Sequence, residues 1–308
     1  MNIKNLTTGA AVVSALCLSA SSALAQDVKE GTGTGIKAAT SGATEVTSDK
    51  MAARDKDGAT AKDAAELSLS LGLLMADGNA KTQAYTGAEK YRLRRGENQV
   101  KQALAFNYAR AAVDDGALQD TVRNLQGLLR YDRFLGDFTL FLSSQGRHDK
   151  FQGLDFRLQV DPGAAYYFIN QKERSLWTEF GYDLTMDFRN QDAVDAARSK
   201  AQSEGKDPQK IKETRTLHSA RLFFGYDHAL SETSKMTLGL EYLQGIASNE
   251  SQTANAYRVN FDAALTAKVF KALSMSTSYS LRLDSAAEQV GKKKTDQILA
   301  ASLVYTFL

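Results

Sequence analysis

The sequence predicts an all-β fold, a transmembrane antiparallel up-and-down β-barrel of about twelve strands preceded by a cleaved signal peptide and a flexible segment. Three observations predict it. Across Leu154–Phe188, two consecutive segments alternate apolar and polar residues, the signature of strands with one greasy and one charged face. Leu154, Phe156, Leu158, Val160, Pro162, Ala164, Tyr166 and Phe168 share one face of the first, against Asp155, Arg157, Gln159 and Asp161. After a turn at residues 170–173, Leu176, Phe180, Tyr182, Leu184, Met186 and Phe188 oppose Glu179, Asp183, Thr185 and Asp187. Segments of this kind recur along the chain and exceed the usual ~5–6 residues of soluble strands. Their connections alternate between short and long, as barrel turns and loops do.

The chain opens with an address. Lys4, the apolar run from Gly9 to Ala20 and the small-residue site at Ala23–Ala25 make residues 1–25 a signal peptide. Cys17, the single cysteine, leaves with it, so disulfides, thiolate catalysis and cysteine metal sites are excluded from the mature chain. Residues 26–63 are rich in Gly, Thr, Ala, Ser, Lys and Asp and cannot bury a core, which predicts a flexible periplasmic segment. Residues 64–308 are assigned to the barrel.

Its strands follow in order. The first, Ala64–Met75, sets Leu67, Leu69, Leu71 and Leu73 against Glu66, Ser68 and Ser70. The second, near Lys81–Arg94, alternates weakly. The third, Gln99–Arg110, carries Leu104, Phe106 and Tyr108 against Lys101, Ala103 and Asn107; the fourth, Thr121–Phe134, sets Leu125, Leu129 and Tyr131 against Asn124, Gln126, Arg130 and Asp132. Phe138–His148 is the fifth, and the two-faced hairpin supplies the sixth and seventh. The charged stretch Arg189–Glu213 interrupts the pattern; within it, residues 193–202 suit a short helix, with nothing that needs burial. Strands eight to twelve are Thr214–Ala229, Ser234–Ile246, Ala254–Phe270, Leu273–Asp284 and Thr295–Leu308. Pro162 beside Gly163 predicts a bulge, because proline removes a ladder donor.

An even strand count with short connections on the side of both termini predicts a bacterial outer-membrane barrel with both termini periplasmic. Aromatics sort by height into two girdles: Phe134, Phe138, Phe168, Tyr226, Phe270 and Phe307 near the periplasmic ends, and Tyr108, Phe156, Phe188, Tyr242 and Tyr257 near the extracellular ends. Past the N-terminus no apolar run reaches the length of a transmembrane helix. The net charge of +2 gives no support for nucleic-acid binding.

A resemblance adds to this reading. The runs Leu128-Leu129-Arg130-Tyr131-Asp132-Arg133-Phe134-Leu135 and Arg147-His148-Asp149-Lys150-Phe151-Gln152-Gly153-Leu154-Asp155-Phe156-Arg157 resemble the YdiY-like family of uncharacterised, salt-induced outer-membrane β-barrel proteins. The similarity covers about Ala65–Leu308. It implies a location and a fold, and it carries no catalytic residues, cofactor or metal ligands.

The inward charges form the candidate site. Arg130, Arg147, Asp155, Arg157, Asp161, Glu179, Asp183, Asp187, Arg221, Glu241, Arg258, Asp262, Lys268 and Arg282 mix both signs, which predicts a polar lumen without strong ionic preference. Pairing across the hairpins would set Arg147 opposite Asp155 and Arg157 opposite Asp187. Such pairs either stiffen a structural, envelope-stress barrel or line a narrow pore for small solutes. The competing enzymatic class is an embedded lipid hydrolase. His148 and Ser144 share an outward face, but four strand residues hold them ~13 Å apart. His218 and Ser219 point to opposite faces, so neither pair makes a nucleophile and its base. The expectation is therefore no enzyme, no metal and no cofactor. Partners are outer-membrane lipid, the barrel-assembly machinery during biogenesis, and lipopolysaccharide, whose phosphates Lys292, Lys293 and Lys294 suit; the plainer reading of that run is a solvated loop tip. The sequence leaves the oligomeric state open.

Overall fold

The computed structural model describes residues 63–76, 80–113, 117–150, 153–171, 173–250, 253–286 and 294–306. The expected signal peptide, all but the last residue of the expected flexible segment, and Lys292, Lys293 and Phe307 lie outside them. Twelve strands close into one antiparallel barrel: β1 (Ala64–Ala76), β2 (Ala80–Arg95), β3 (Asn98–Val113), β4 (Gln119–Leu135), β5 (Phe138–Asp149), β6 (Leu154–Asn170), β7 (Arg174–Arg189), β8 (Thr214–Ala229), β9 (Ser234–Ser248), β10 (Tyr257–Phe270), β11 (Leu273–Asp284) and β12 (Thr295–Thr306). Each strand pairs with its sequence neighbours. The seam joins β1 to β12, with Leu69 opposite Tyr305 and Leu71 opposite Leu303. Closure leaves no strand edge without a partner, the condition for a sheet in hydrocarbon.

The outer surface is what the alternation requires. Leu71, Leu73, Met75, Phe106, Leu125, Leu129, Leu142, Phe180, Leu240, Leu265, Leu299 and Leu303 are all exposed large apolar side chains. A soluble protein would bury such a band, whereas lipid rewards it. β2 is the exception that blurred its own pattern. Its outward residues include Lys81, Gln83 and Glu89, and Glu89 accepts a hydrogen bond from Gln102 Nε2 at 3.3 Å on the same surface.

The end that carries the start of β1 and the end of β12, called here the terminal end, holds tight connections. Gly96 and Gly136 turn there with φ of +54° and +65°, a region open to glycine, and Lys271 takes φ of +42° in the β10–β11 turn. The opposite, far end carries the longer loops. The largest, between β7 and β8, contains helix α1 (Gln191–Ser203) and a 3-10 turn at Pro208–Lys210. Asn190 caps α1 by accepting from Ala193 N at 2.9 Å. Contrary to the expectation that nothing in this loop needs burial, Val194, Ala197 and Ala201 form a buried apolar cluster with Ile211. Glu250 fixes the loop to the barrel rim, accepting two bonds from Arg189 at 2.8 and 3.0 Å and one from Lys212 N at 2.8 Å. Just past the helix, the Lys206 ammonium donates to Glu204 and holds that carboxyl below the usual range.

The bulges fall elsewhere than predicted. Val160 opposite Leu184 and Gly163 opposite Gly181 keep one register, so Pro162 interrupts the β6–β7 ladder without shifting it. Pro162 remains paired with Leu142 on β5, and the missing N–H is absorbed in a local gap in the other ladder. The shifts lie instead at Asp155 and Phe168, near the two ends of β6. One consequence is that Leu154 turns inward and is buried while Asp155 is exposed. A second departure concerns the girdles. Phe138, Phe168 and Phe270 at one end and Phe156, Phe188, Tyr242 and Tyr257 at the other are exposed, but Phe134 is buried inside, beneath the Arg94 guanidinium at 4.2 Å.

Candidate functional site in the barrel lumen

The lumen is built unevenly around its circumference. On the wall from β3 to β9 most inward residues are enclosed and several large ones are fully buried, while Arg147, Arg157, Gln159, Lys235 and Thr237 stay half-buried. Gly163 and Gly181 face each other across β6 and β7, and a side chain at Gly163 would collide with the Phe141 ring. The bare glycine surface thus lets Phe141 lie against the wall. The Arg130 guanidinium lies over the Phe141 ring at 4.1 Å from its centre, with that of Arg221 at 5.5 Å.

These two arginines organise a run of buried ion pairs. Arg130 donates to Asp132 at 2.8 Å and to both oxygens of Glu179 at 3.0 and 3.3 Å. Arg221 donates to the same Glu179 at 2.8 Å and to Glu241 at 2.6 Å. Asn260 adds a bond to Glu241 at 2.8 Å. Charges taken out of water are costly unless each is paired and hydrogen-bonded, and this cluster meets that condition by alternating signs along a line. Nearer the terminal end lies an apolar layer of Ala165, Tyr167, Trp177 and Phe223, with Trp177 at 6.1 Å from Tyr167 and 6.0 Å from Phe223.

Toward the far end the pairs continue. Asp161 accepts from Ser143 at 3.4 Å; Asp183 accepts from Arg258 at 2.8 Å and Gln159 at 3.2 Å. Asp187 is held between Arg157, directly opposite it as the sequence expected, and Arg215 at 2.5 Å. On the β10–β11 side Arg282 donates to both oxygens of Asp262 at 2.6 and 2.9 Å, and Ser280 adds a third bond.

Two candidates depart from their expected places. Asp155 is an exposed rim residue at the bulge, where its backbone carbonyl, not its carboxylate, meets His148 Nδ1 at 2.7 Å. The extra residue of the bulge reversed the parity on which its lumen assignment rested. Arg147, on the unshifted side of that bulge, stands opposite Arg157 in the register of the whole β5–β6 hairpin and bonds Asp149 of its own strand at 2.7 Å. Lys268 is exposed at the terminal end, beside a further register shift. Sequence reasoning passed over Lys90, Arg92 and Arg94, hidden by the weak alternation of β2, and the inward aromatics Phe141, Trp177 and Phe223, which an apolar-outside rule assigns to the wrong face. Their signal was parity within strands whose neighbours were already placed.

The opposite wall is different. From β10 through β11 and β1 to β2, the inward Asn260, Ala264, Thr266, Ser274, Ser276, Ser278, Ser68, Thr86, Ala88, Lys90 and Arg92 retain partial exposure, whereas Arg258, Asp262, Ser280, Thr82, Ala84 and Arg94 on the same strands are buried. Small hydroxyl and methyl side chains cannot reach across to fill the space that large ones fill elsewhere. The histidines lie on the outer surface: His218 meets the Tyr182 hydroxyl, and His228 the Tyr226 hydroxyl at 3.0 Å. Among the described residues no group of His, Cys, Asp and Glu is arranged to hold a metal ion.

A closed antiparallel sheet with an apolar outer band and paired charges inside is a transmembrane β-barrel. The chain belongs to the family described as proteins of unknown function, DUF481, whose model matches residues 69–307. Comparison with curated proteins finds no match. Among solved structures, the chain is similar to an outer membrane channel of Pseudomonas putida F1, COG4313, at 10% identity and a TM-score of 0.47, covering 82% of this chain and 98% of that one. It is also similar to the translocator domain of the autotransporter NalP from Neisseria meningitidis, at 11% identity and a TM-score of 0.42, covering 94% and 97%. A porin matches at 8% identity and a TM-score of 0.34, covering 80% and 100%.

Proposed function

We propose that this protein is a bacterial outer-membrane barrel whose lumen is a narrow aqueous path for small polar solutes. The observation that carries the reading is the uneven lumen: a wall of buried ion pairs and aromatics from β3 to β9 faces a serine-rich wall from β10 to β2 whose middle keeps partial exposure, although Thr82, Ala84, Arg94, Arg258, Asp262 and Ser280 on that wall are buried. Filled barrels of eight strands need no such exposed strip, and twelve strands leave more interior than one layer of side chains fills. In this reading the termini and tight turns face the periplasm, the α1 loop faces outward, and residues 1–25 direct export. The protein carries out no reaction; lipid, lipopolysaccharide phosphates near Lys292–Lys294 and the assembly machinery are its surroundings. The resemblance to salt-induced YdiY-like proteins fits a role under envelope stress.

Refolded barrel in a planar bilayer tests the pore. Discrete conductance steps are expected. Absence of current from protein that shows heat-modifiable migration would leave the second reading, a structural barrel stiffened by its Arg130–Glu179–Arg221–Glu241 cluster.

A further inference from the structure

Every strand edge has a partner, but the pair that closes the barrel is held over only part of its length. Among the described residues β1 and β12 are in register at four pairs, from Ser68 opposite Thr306 to Leu71 opposite Leu303. Beyond them, residues 72–76 of β1 stay paired with β2 and residues 295–302 of β12 with β11, while no pair in register links the two strands to each other. At Gly72 the backbones are still close, since a side-chain carbon there would sit 3.9 Å from the Ala301 carbonyl oxygen. The seam thus loses its ladder just above Gly72, on the way to the far end. Backbone without a ladder is not stable against hydrocarbon, and at membrane depth it is tolerated where it lines a water-filled cavity. The lumen supplies one, because the hydroxyl-rich strip that keeps partial exposure is centred on this seam: Ser68, Thr86, Ser276 and Ser278 flank it on the inner side. On the outer side stand Leu71, Leu73, Met75 and Leu299, each 60 to 71% exposed.

We infer that the far half of the β1–β12 seam is a lateral opening through which a single-chain amphiphile passes between the lumen and the membrane, and this rests on the reading of the lumen as an aqueous path. The two sides of the opening differ as the two ends of an amphiphile do. Leucine and methionine lips lose nothing by contact with an alkyl chain, and the serine and threonine strip offers hydroxyls to a polar head. Both edges are tied along their outer neighbours, β1 to β2 and β12 to β11, so the gap opens by a splay of two strands. Such a gap suits one chain better than the paired chains of a phospholipid.

Labelling of single cysteines tests the opening. The full-length barrel, with Cys17→Ser, is refolded into phosphatidylcholine vesicles and treated with a charged, membrane-impermeant methanethiosulfonate. A thiol reacts as its thiolate, which forms in water and not in hydrocarbon, so Leu73→Cys at the lip should react at least ~10-fold faster than Leu125→Cys. Leu125 is also outward but is laddered on both sides. Dodecylphosphocholine below its micelle concentration should slow labelling of Ser276→Cys severalfold, and phosphocholine alone should not. Equal rates at Leu73→Cys and Leu125→Cys would overturn the opening. A Ser276→Cys that is unreactive, or whose labelling ignores the dodecyl chain, would overturn the amphiphile. Protection of Leu73→Cys in native envelopes, absent from the refolded barrel, would assign the seam to a strand of another protein and overturn it too. Planar-bilayer conductance reads the pore separately: current with equal labelling rates would remove the opening and leave the pore, whereas fast labelling and dodecyl protection without current would leave the opening and remove the through path.

Discussion

Removing the carboxylate of Glu179 should be among the most damaging single truncations in the lumen. Its side chain is fully enclosed, and it accepts two bonds from Arg130 and one from Arg221, both also fully enclosed. Glu179→Ala deletes three charge-assisted bonds and leaves two buried guanidinium groups short of a partner. Breaking a buried pair in this way costs ~3–5 kcal/mol. Arg130 keeps Asp132 and Arg221 keeps Glu241, so the lower end applies, about 3 kcal/mol of barrel stability. Glu179→Gln preserves the shape and one acceptor and should cost visibly less. The assay is urea unfolding of barrel folded into phospholipid vesicles, followed by emission of Trp177, the single tryptophan. A loss below about 1 kcal/mol, the range of an exposed surface pair, would refute the picture of a water-excluded cluster.

Other outcomes follow from the same structure. Leu240 is an outward residue midway along β9, so Leu240→Arg should cost ~2–4 kcal/mol, far more than Thr237→Arg on the inward face; equal losses would mean the faces are wrongly assigned. A side chain at Gly225 would collide with the Trp177 ring, so Gly225→Ala should cost ~1–3 kcal/mol and shift tryptophan emission, and an unchanged spectrum would contradict the packing. Asn190→Ala should weaken α1 by ~1 kcal/mol, read as faster protease cleavage within residues 191–213, while the urea midpoint of the barrel stays put. Movement of that midpoint would show that the loop is part of the barrel's cooperative unit.

The strand order was legible because lipid outside and polar residues inside force a period of two, and that period survives in nearly every strand. It failed where the two environments stop being opposites. β2 carries Lys81, Gln83 and Glu89 outside, so its strand showed only faintly and its inward Lys90, Arg92 and Arg94 were passed over. Phe134 looked like a girdle residue because an aromatic near a strand end usually is one; inside, a guanidinium against its face makes it equally at home. Asp155 was misplaced by a single added residue, since one bulge exchanges the two faces of everything beyond it until the register is restored. Pro162 drew attention to the wrong position, because a missing donor is a local defect, whereas a bulge is a mismatch between two strands and is not written in either alone.

What the sequence determined by itself was the barrel, its strand number and its two surfaces, because alternation and turn residues are local properties. It also determined that the interior carries both charges. What only the tertiary structure decided was which of those charges meet water. Glu179 and Asp183 are brought to Arg130 and Arg258 of distant strands by ring closure, Asp187 is set between Arg157 and Arg215 by the register of its two neighbours, and all three are enclosed where Phe141, Trp177 and Phe223 fill the same wall. Exposure depends on what stands across the lumen, and that neighbour is set by the closure of the whole sheet.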